Sequence, residues 1–534
     1  MQPGPLWVAL WRLLAEMPGQ NKRQLLTELH RMGRHELTTT DVNRTLYASP
    51  ATFDHDNATP PCWRLTAAAA RSGPAIPAPA PQALPLCYVG EIPRAWQTEA
   101  LAAWLSNGRR GVVEAVTGTG KTTVGVLATA AAVDAGEKVL VLVPGRELLD
   151  QWYEVLRRDF HGVRVGRHGD GHEDGLFENS VVIAIVNSAA KYEMLPQGMP
   201  GLLVADEVHR YGAQHFAQAL EPGFGARLGL TATYDRGDNG LFEHLVPYFG
   251  DVVAGCSYDR GLADEILAPF RIAFVGVDFT PDEQKAHDEY DERVKTLRRR
   301  LILDHGCPTE PFGEFMASVN HLREGGHGDS RAAGVARGYL DAFSKRRQVL
   351  ADCWSKHEAL ALLAPVLATA DRGLVFGETT SSAEHAAGVL RTNGVQAMEL
   401  TSNLDSLTRK QRMSAFKSGH VKVLAAPRLL DEGINVPQAD VGVIMAGSRS
   451  KRQMIQRMGR VIRPKADRRP ATFVILYVRG TAEDPDFGAH EGFLEQVIDV
   501  AQEVEYFDHS AVGADLLAWH LWGRLSTRPV SSRR

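Results

Sequence analysis

The 534-residue sequence predicts an α/β protein in which two parallel-sheet lobes follow each other along the chain. Two series of short apolar runs, separated by helical patterns, carry this prediction. Runs that are apolar on both faces are typical of strands in a buried parallel sheet. The first series is 111–113, 139–143, 181–186, 202–205 and 228–232, and the second is 374–376, 397–400, 421–425, 441–444 and 473–477.

Composition limits the class of protein. The chain has 59 Lys and Arg against 64 Asp and Glu, so it has no overall basic excess that would attract nucleic acid. Any nucleic acid would therefore have to be bound along a local groove. The five scattered cysteines form no Cys-x-x-Cys pair, which argues against a zinc ribbon or a disulfide framework and favours a reducing compartment. No apolar run approaches the roughly 18 residues of a membrane span. We therefore expect a soluble, cytoplasmic protein without membrane contact.

Residues 1–66 predict three short helices and a hairpin. The third helix is indicated by Asp41–Tyr47 and the returning strand by Trp63–Leu65, and the arrangement resembles a winged helix-turn-helix domain. By the docking rule of that motif, the third helix would contact DNA through Asn43 and Arg44. The segment is nearly neutral, so a winged helix that docks a protein and touches no DNA is equally open.

The remaining boundaries follow composition. Residues 67–90 are an Ala- and Pro-rich linker that tethers the first domain without fixing its orientation. The first lobe is assigned to 91–270 and the second to 351–480. Between them, 271–350 is a connecting strand and a helical insert whose most basic patch contains Arg298 and Arg299, which are candidate nucleic-acid contacts. Residues 481–534 are a helical extension with a disordered basic end, and a protein partner could bind there or on the winged helix.

A glycine-rich turn between a predicted strand and a predicted helix, Glu114–Thr123, is the strongest chemical signal. Backbone N–H groups at such a turn, together with the helix dipole, favour a polyphosphate. Lys121 would reach the β and γ phosphates and the Thr122 hydroxyl would ligate Mg²⁺. The rest of the cradle is Thr117, Gly118, Thr119, Gly120 and Thr123. A turn that binds no nucleotide is the alternative, and Ala115 stands where the common pattern has Gly.

Two carboxylates follow the predicted strand 202–205. Phosphoryl transfer needs one carboxylate to hold Mg²⁺ and another group to orient or deprotonate water. Asp206 suits the first role and Glu207 the second, while His209 would lie near the γ-phosphate or the second lobe.

Gln456, Arg460 and Arg463 in the second series are spaced i, i+4, i+7 and would share one helix face. A solvated basic face is one explanation. The other is that two arginines directed at a nucleotide held by the first lobe act as catalytic fingers. In that case the site would be complete only when the lobes close.

Together these motifs resemble those of superfamily 2 helicases and translocases over about residues 91–480. In that family's terms the Q motif is 93–97 with Gln97 as adenine reader, motif Ia is 143–152 with Arg146 as a candidate strand contact, motif II is 206–209, motif III is 231–233, motif V is 430–437 with Gly433, and motif VI is 456–463. The Asp-Glu-Val-His box, Leu230–Arg236 and Ile266–Phe270 look most like XPB-type and type III restriction-type helicases. The resemblance implies two RecA-like lobes, ATP and Mg²⁺ as cofactors, and double-stranded or forked DNA as partner.

Some strand-contact positions depart from the family pattern, while the ATP positions match. These are Gly145, Ile185, Pro427 and Asn435. We therefore expect intact hydrolysis and an altered grip on nucleic acid. An ATP-dependent DNA helicase or translocase is the main hypothesis. An RNA helicase, and an ATP-switched scaffold subunit of a larger DNA-processing or defence complex, are the alternatives.

Overall fold

The structure is a computed structural model that describes residues 5–31, 37–47, 49–50, 52–56, 58, 60–66, 84–236, 238–310, 312–324, 330–427, 439–445, 454, 458–459, 461–462, 469–487, 497–498 and 500–525. None of the described helices is long and apolar enough to cross a membrane. All five cysteines are free thiols.

The N-terminal unit consists of three helices and a small antiparallel sheet. Its elements are α1 (Pro5–Glu16), β1 (Gln20–Asn21), α2 (Lys22–Arg31), α3 (Thr39–Tyr47), β2 (Phe53–His55) and β3 (Cys62–Leu65), with strand order β1-β3-β2. The apolar faces of the helices meet Phe53 and Trp63 in one core. Helices and hairpin lie where the sequence predicts them, and the assignment to the winged-helix family stays a prediction.

The first lobe is built on an eight-stranded sheet. Its strands are β4 (Arg110–Ala115), β5 (Lys138–Val143), β6 (Val165–Gly169), β7 (His172–Glu173), β8 (Val181–Ile185), β9 (Gly201–Asp206), β10 (Ala226–Thr231) and β11 (Val252–Cys256). Their order is β11-β4-β10-β9-β5-β8-β6-β7, and the β6–β7 pair is antiparallel whereas the other pairs are parallel. The five apolar runs predicted for this lobe are therefore confirmed as strands.

Helices cover both faces of this sheet. They are α4 (Ala95–Ser106), α5 (Lys121–Asp134), α6 (Arg146–Asp159), α7 (Val186–Ala189), α8 (Gln214–Ala217), α9 (Val246–Phe249) and α10 (Tyr258–Ala263). Because each crossover returns to the same sheet edge, the carboxyl ends of β4, β9 and β10 lie side by side. Ligands bind at this edge in open parallel sheets.

The second lobe is built on a seven-stranded, all-parallel sheet. Its strands are β12 (Phe270–Val277), β13 (Gly373–Phe376), β14 (Ala397–Glu399), β15 (Val423–Ala426), β16 (Val441–Ile444), β17 (Ala471–Val478) and β18 (Glu503–Asp508), in the order β14-β15-β13-β16-β17-β12-β18. The two predicted α/β lobes in tandem are confirmed.

Two boundaries differ from the prediction. β12 pairs with β17 over its whole length and therefore belongs to the second lobe, not to a connection between the lobes. The helical insert thus interrupts the second lobe after its first strand. The C-terminal extension, predicted to be helical, contributes β18 to the sheet before its helix α18 (Ala514–Leu525) begins.

The helical insert is a three-helix unit with its own core. It comprises α11 (Pro281–His305), α12 (Phe312–Arg323) and α13 (Ser330–Ala351). A capping box of Thr280 and Glu283 begins α11, and Gly306 ends it in the left-handed region. The helices α14 (Trp354–Leu362), α15 (Ala364–Thr369), α16 (Thr380–Thr392) and α17 (Ser406–Ser418) then complete the second lobe.

Candidate nucleotide site

The glycine-rich turn joins β4 to the start of α5, as predicted. Gly118 and Gly120 have φ values of 97° and 91°, in the left-handed region where a side chain would be strained. No side chain caps the first turn of α5, and no acidic residue lies there. The first N–H groups of α5 therefore have neither a side-chain cap nor an acidic residue within their own turn, which suits a phosphate.

Lys121 is the first residue of α5. Its Nζ donates to the carbonyl oxygen of Ala115 at 3.0 Å, so it lies across the turn. Thr119 is buried and donates to the carbonyl oxygen of Val116 at 2.7 Å, which holds the turn in shape. Thr117, Thr122 and Thr123 are half-buried at the rim of the turn.

Helix α4 supports the turn from outside. Arg94 Nη1 and Trp96 Nε1 donate to the carbonyl oxygen of Thr119 at 3.0 and 3.3 Å. Gln97 Nε2 donates to the carbonyl oxygen of Gly120 at 2.9 Å, and Gln97 Oε1 accepts from the Arg94 N–H at 2.8 Å. Both ends of the Gln97 amide are thus engaged with protein groups. In this structure Gln97 braces the turn, and its predicted reading of adenine stays a prediction.

Asp206 ends β9 and is buried beside the turn. Its Oδ2 accepts from Trp152 Nε1 at 2.8 Å and its Oδ1 accepts from the Glu207 N–H at 3.0 Å. Burial and the charge of Glu207 raise the pKa of Asp206 to about 6, while the Trp152 N–H and the Lys121 ammonium oppose that rise. Because β4 and β9 both pair with β10 in parallel, their carboxyl ends lie at the same edge of the sheet and form one site.

Glu207 and His209 continue the motif. Glu207 has a φ of 52°, so the backbone turns sharply after the strand. His209 Nδ1 lies 3.0 Å from Thr231 Oγ1 and 3.5 Å from Glu207 Oε2. Thr231 in turn donates to the carbonyl oxygen of Thr233 at 2.8 Å. His209 therefore links the second carboxylate to the end of β10 within the first lobe.

The two residues proposed to hold Mg²⁺ carry the oxygen donor atoms that this divalent ion prefers. Asp206 is an anionic oxygen donor and Thr122 a hydroxyl donor, and both follow strands whose carboxyl ends share one edge. The two hydrogen bonds to Asp206 use one lone pair on each oxygen, so acceptor capacity remains on both.

The second lobe reaches the turn directly. A β-carbon on Gly459 would overlap the side chain and backbone of Thr117. Val116 of the turn shares an apolar cluster with Met458 and Ile462 of the second lobe. Gly433, Gln456, Arg460 and Arg463, with all of motif V, lie outside the described residues.

The contacts that α3 makes in the structure differ from those predicted for a helix that reads DNA. Asn43 is buried and its Nδ2 donates to Asp259 Oδ1 of α10 at 2.9 Å. Lys22 forms a buried ion pair with the same carboxylate. The prediction that Asn43 faces a DNA groove is therefore wrong for this arrangement, because the helix face that carries it packs on the first lobe. Arg44 stays exposed, with Nη2 4.0 Å from Glu265 Oε1.

The same interface extends to the helix that braces the turn. Tyr47 OH lies 3.2 Å from Ser257 Oγ, and the Arg260 guanidinium lies 5.0 Å from the Tyr47 ring centre. Arg260 also forms a bidentate pair with Glu99 of α4, at 3.0 and 3.2 Å. The orientation of the N-terminal unit is thus set by specific contacts, unlike the loose tethering predicted from its linker.

The other candidate nucleic-acid residues divide into structural and exposed groups. Arg298 Nη2 donates to the carbonyl oxygen of Thr309 at 2.9 Å and its guanidinium lies 5.2 Å from the Phe315 ring, so Arg298 holds α11 to α12. Arg299 is exposed. Arg146 is exposed at the start of α6 and pairs with Asp170 at 2.8 Å.

Sequence reasoning missed Trp152 and Arg94 as parts of the site. Arg94 stands three residues before Gln97, within the Q motif, so spacing could have suggested it. Trp152 ends motif Ia, and its contact with Asp206 joins residues 54 positions apart. Nothing in the local pattern signals that contact.

Family models match the two lobes separately. The model described as "Type III restriction enzyme, res subunit" matches residues 91–236, which include the turn and motifs Ia, II and III. The model described as "Helicase conserved C-terminal domain" matches residues 356–465, which include the positions of motifs V and VI. Both halves of the predicted motor are therefore recognised independently.

Known proteins of similar sequence are named for DNA helicases. "DNA 3'-5' translocase XPB2" of Sulfurisphaera tokodaii is 28% identical over 397 residues, which are 73% of this chain and 82% of that protein. "DNA 3'-5' helicase XPB" of Kineococcus radiotolerans is 24% identical over 444 residues, which are 78% of this chain and 66% of that protein. A Rad25 relative of Haloarcula marismortui is matched over only 50% of its length.

Solved structures share the fold. S. cerevisiae Dbp5 bound to RNA and ADP BeF3 superposes with a TM-score of 0.53 at 15% identity, covering 82% of this chain and 94% of Dbp5. The type ISP restriction-modification enzyme LlaBIII bound to DNA gives 0.51 at 14% identity, covering 82% of this chain and 32% of that one. The family models and the relatives support a superfamily 2 helicase or translocase of the XPB and type III restriction style, and the solved structures show that the fold is shared.

Proposed function

We propose that the chain is an ATP-dependent DNA helicase or translocase that hydrolyses ATP between its two lobes. The observation that carries the proposal is the approach of Gly459 to Thr117, because Gly459 directly precedes the proposed finger Arg460 in the sequence. A nucleotide held by the first lobe would then sense the position of the second. Such coupling is what converts hydrolysis into movement along a strand.

Each site residue has a proposed task. The turn from Thr117 to Thr123 binds the phosphates, and Lys121 leaves the Ala115 carbonyl to neutralise them. Thr122 and Asp206 would hold Mg²⁺, which supplies charge neutralisation at the β and γ phosphates when bound. Glu207 orients the attacking water. His209 links Glu207 to Thr231 of motif III.

The second lobe contributes the remaining proposed groups. Arg460 and Arg463 would stabilise the charge that develops on the transferred phosphoryl group, and Gln456 and Gly433 stay candidates for the same site. Comparable fingers are worth roughly 10³–10⁵ in turnover. Since they sit on the other lobe, turnover depends on lobe closure.

The proposed nucleic-acid substrate is DNA, because the relatives cited above are named DNA 3'-5' helicases or translocases. We propose the same polarity for this chain. Arg44, Arg146 and Arg299 are exposed and stay candidates for phosphate contacts. Contacts of this kind depend strongly on salt because binding releases counterions.

The test is ATP hydrolysis by the full chain, titrated with single-stranded, duplex and forked DNA and with RNA at 50 and 200 mM salt. We expect duplex or forked DNA to raise turnover, with a weaker effect at the higher salt. Hydrolysis that no DNA alters would contradict the proposal. Stimulation by RNA alone would replace it with an RNA helicase.

A further inference from the structure

We infer that Trp152 is a positioning residue for the metal-binding carboxylate of Asp206. Its indole Nε1 donates to Asp206 Oδ2 at 2.8 Å. Trp152 has no exposed surface and Asp206 is 5% exposed, so water does not compete for this bond. The inference rests on the proposed function, since it takes Asp206 as the protein's Mg²⁺ carboxylate.

Two donors orient the Asp206 carboxylate from opposite sides. Trp152 holds Oδ2 and the Glu207 N–H holds Oδ1 at 3.0 Å. The Glu207 donor belongs to the backbone of the same strand end and is present whatever the side chains are. The indole is therefore the side-chain contact that selects the rotamer. Partners of this kind orient metal ligands, and their loss costs about 10–100-fold in metal affinity or activity.

Close packing holds the indole in place. A β-carbon at Gly125 of α5 would lie 2.7 Å from the Trp152 ring, so the absence of a side chain there makes room for it. Trp152 also shares the apolar core between α6 and the sheet with Leu149 and Leu156 of its own helix. A donor that cannot change rotamer fixes its acceptor more strictly than a surface side chain would.

The test compares Trp152→Phe with a matched control, Trp104→Phe. Trp104 is also a buried indole, and its Nε1 donates to the carbonyl oxygen of Arg227 at 3.0 Å, away from the nucleotide site. Both changes delete one buried N–H and leave a similar space. Mn²⁺ binding to the full chain in the presence of ADP is measured by the electron paramagnetic resonance signal of free Mn²⁺.

For Trp152→Phe we expect an Mn²⁺ dissociation constant about tenfold higher than for the wild type. The Mg²⁺ concentration that gives half-maximal hydrolysis should rise in parallel, with most of the maximal turnover recovered at saturating Mg²⁺. Trp104→Phe should bind Mn²⁺ like the wild type. Trp152→His, which keeps a ring N–H, should bind more tightly than Trp152→Phe, and it serves as the test variant should Trp152→Phe not fold.

Equal Mn²⁺ affinity in wild type and Trp152→Phe would overturn the inference, as would an equal loss in Trp152→Phe and Trp104→Phe. If the wild type itself shows no ADP-dependent Mn²⁺ binding, the proposed nucleotide site fails instead. The two failures are therefore distinguishable.

Discussion

Gly459 of the second lobe lies directly against Thr117 of the phosphate-binding turn, so close that a β-carbon at 459 would be 2.6 Å from the Thr117 carbonyl oxygen. Only a residue without a side chain allows this approach. The two lobes therefore meet at the turn itself. The neighbouring Met458 and Val461 are buried in the apolar cluster that spans both lobes, which holds this segment against the first lobe.

Gly459→Ala should impair lobe closure and leave nucleotide binding to the first lobe intact. Since a misplacement of about 1 Å costs roughly 100-fold in rate, we expect DNA-stimulated turnover to fall about 100-fold. The change in ADP affinity should be small. Steady-state hydrolysis and fluorescent-nucleotide binding measure the two effects.

Gly388→Ala is the matched control for Gly459→Ala. Gly388 lies within α16, and a β-carbon there would meet only the tip of Arg391 at 3.9 Å. This change should leave turnover unaltered and stabilise the helix by about 0.5–1 kcal/mol. Equal turnover in the two variants would contradict the closure argument.

Lys22→Ala should destabilise the docked N-terminal unit. The Lys22–Asp259 ion pair is buried, and removal of one partner leaves a buried charge, which costs about 3–5 kcal/mol. Arg64→Ala, which breaks an exposed pair with Asp54, should cost less than about 1 kcal/mol. Urea unfolding followed by tryptophan fluorescence compares them, and equal costs would exclude a specific interface.

The lowered pKa of the buried His357 should make the stability of the second lobe sensitive to acid. Burial, together with the neighbouring His385 and Lys356, lowers the pKa of His357 to about 4. The unfolded chain then binds more protons than the folded one between pH 6.5 and 4. Stability is complete above pH 6.5 and falls as pH decreases through that window, by about 3 kcal/mol.

His357→Phe should remove this contribution. The difference in unfolding free energy between wild type and variant should change by about 3 kcal/mol between pH 7 and pH 4, in the direction that favours the variant in acid. Urea midpoints at the two pH values measure it. A difference that is independent of pH would show that the protonation of His357 is not linked to unfolding.

Substitutions of Arg298 and Arg299 should distinguish a structural role in the insert from a contact with nucleic acid. Arg298→Ala removes the bond to the Thr309 carbonyl and the contact with Phe315, so we expect it to destabilise the insert by about 1–2 kcal/mol. Arg299→Ala should leave stability unchanged within about 0.5 kcal/mol. If Arg299 contacts a phosphate, the salt dependence of DNA binding should fall by about one counterion.

Apolar runs predicted the strands well because a parallel strand buried on both faces has no polar positions to interrupt its pattern. β12 was placed outside the second lobe because the order of strands along the chain does not show which sheet a strand joins. β18 was missed because Glu503–Asp508 is an edge strand with three acidic residues and therefore lacks the continuous apolar run of the buried strands.

The nucleotide-binding turn and both carboxylates could be predicted from sequence because their residues are adjacent or follow strands directly. The docking of α3 could not, because Asn43 and Asp259 are 216 residues apart and their complementarity exists only in the fold. The same limit applies to Trp152, one of nine tryptophans in the sequence, whose partner carboxylate is set by the packing of α6.

The proposed function requires that ATP is hydrolysed at Asp206 and Glu207 in response to DNA. The most direct measurement compares wild type with Glu207→Gln in ATP turnover and ATP binding, with and without forked DNA. We expect turnover to fall by at least about 10²-fold in the variant, with ATP affinity within about threefold of the wild type. DNA-stimulated turnover that survives in Glu207→Gln would show that Glu207 is not needed for hydrolysis and would overturn the proposed function.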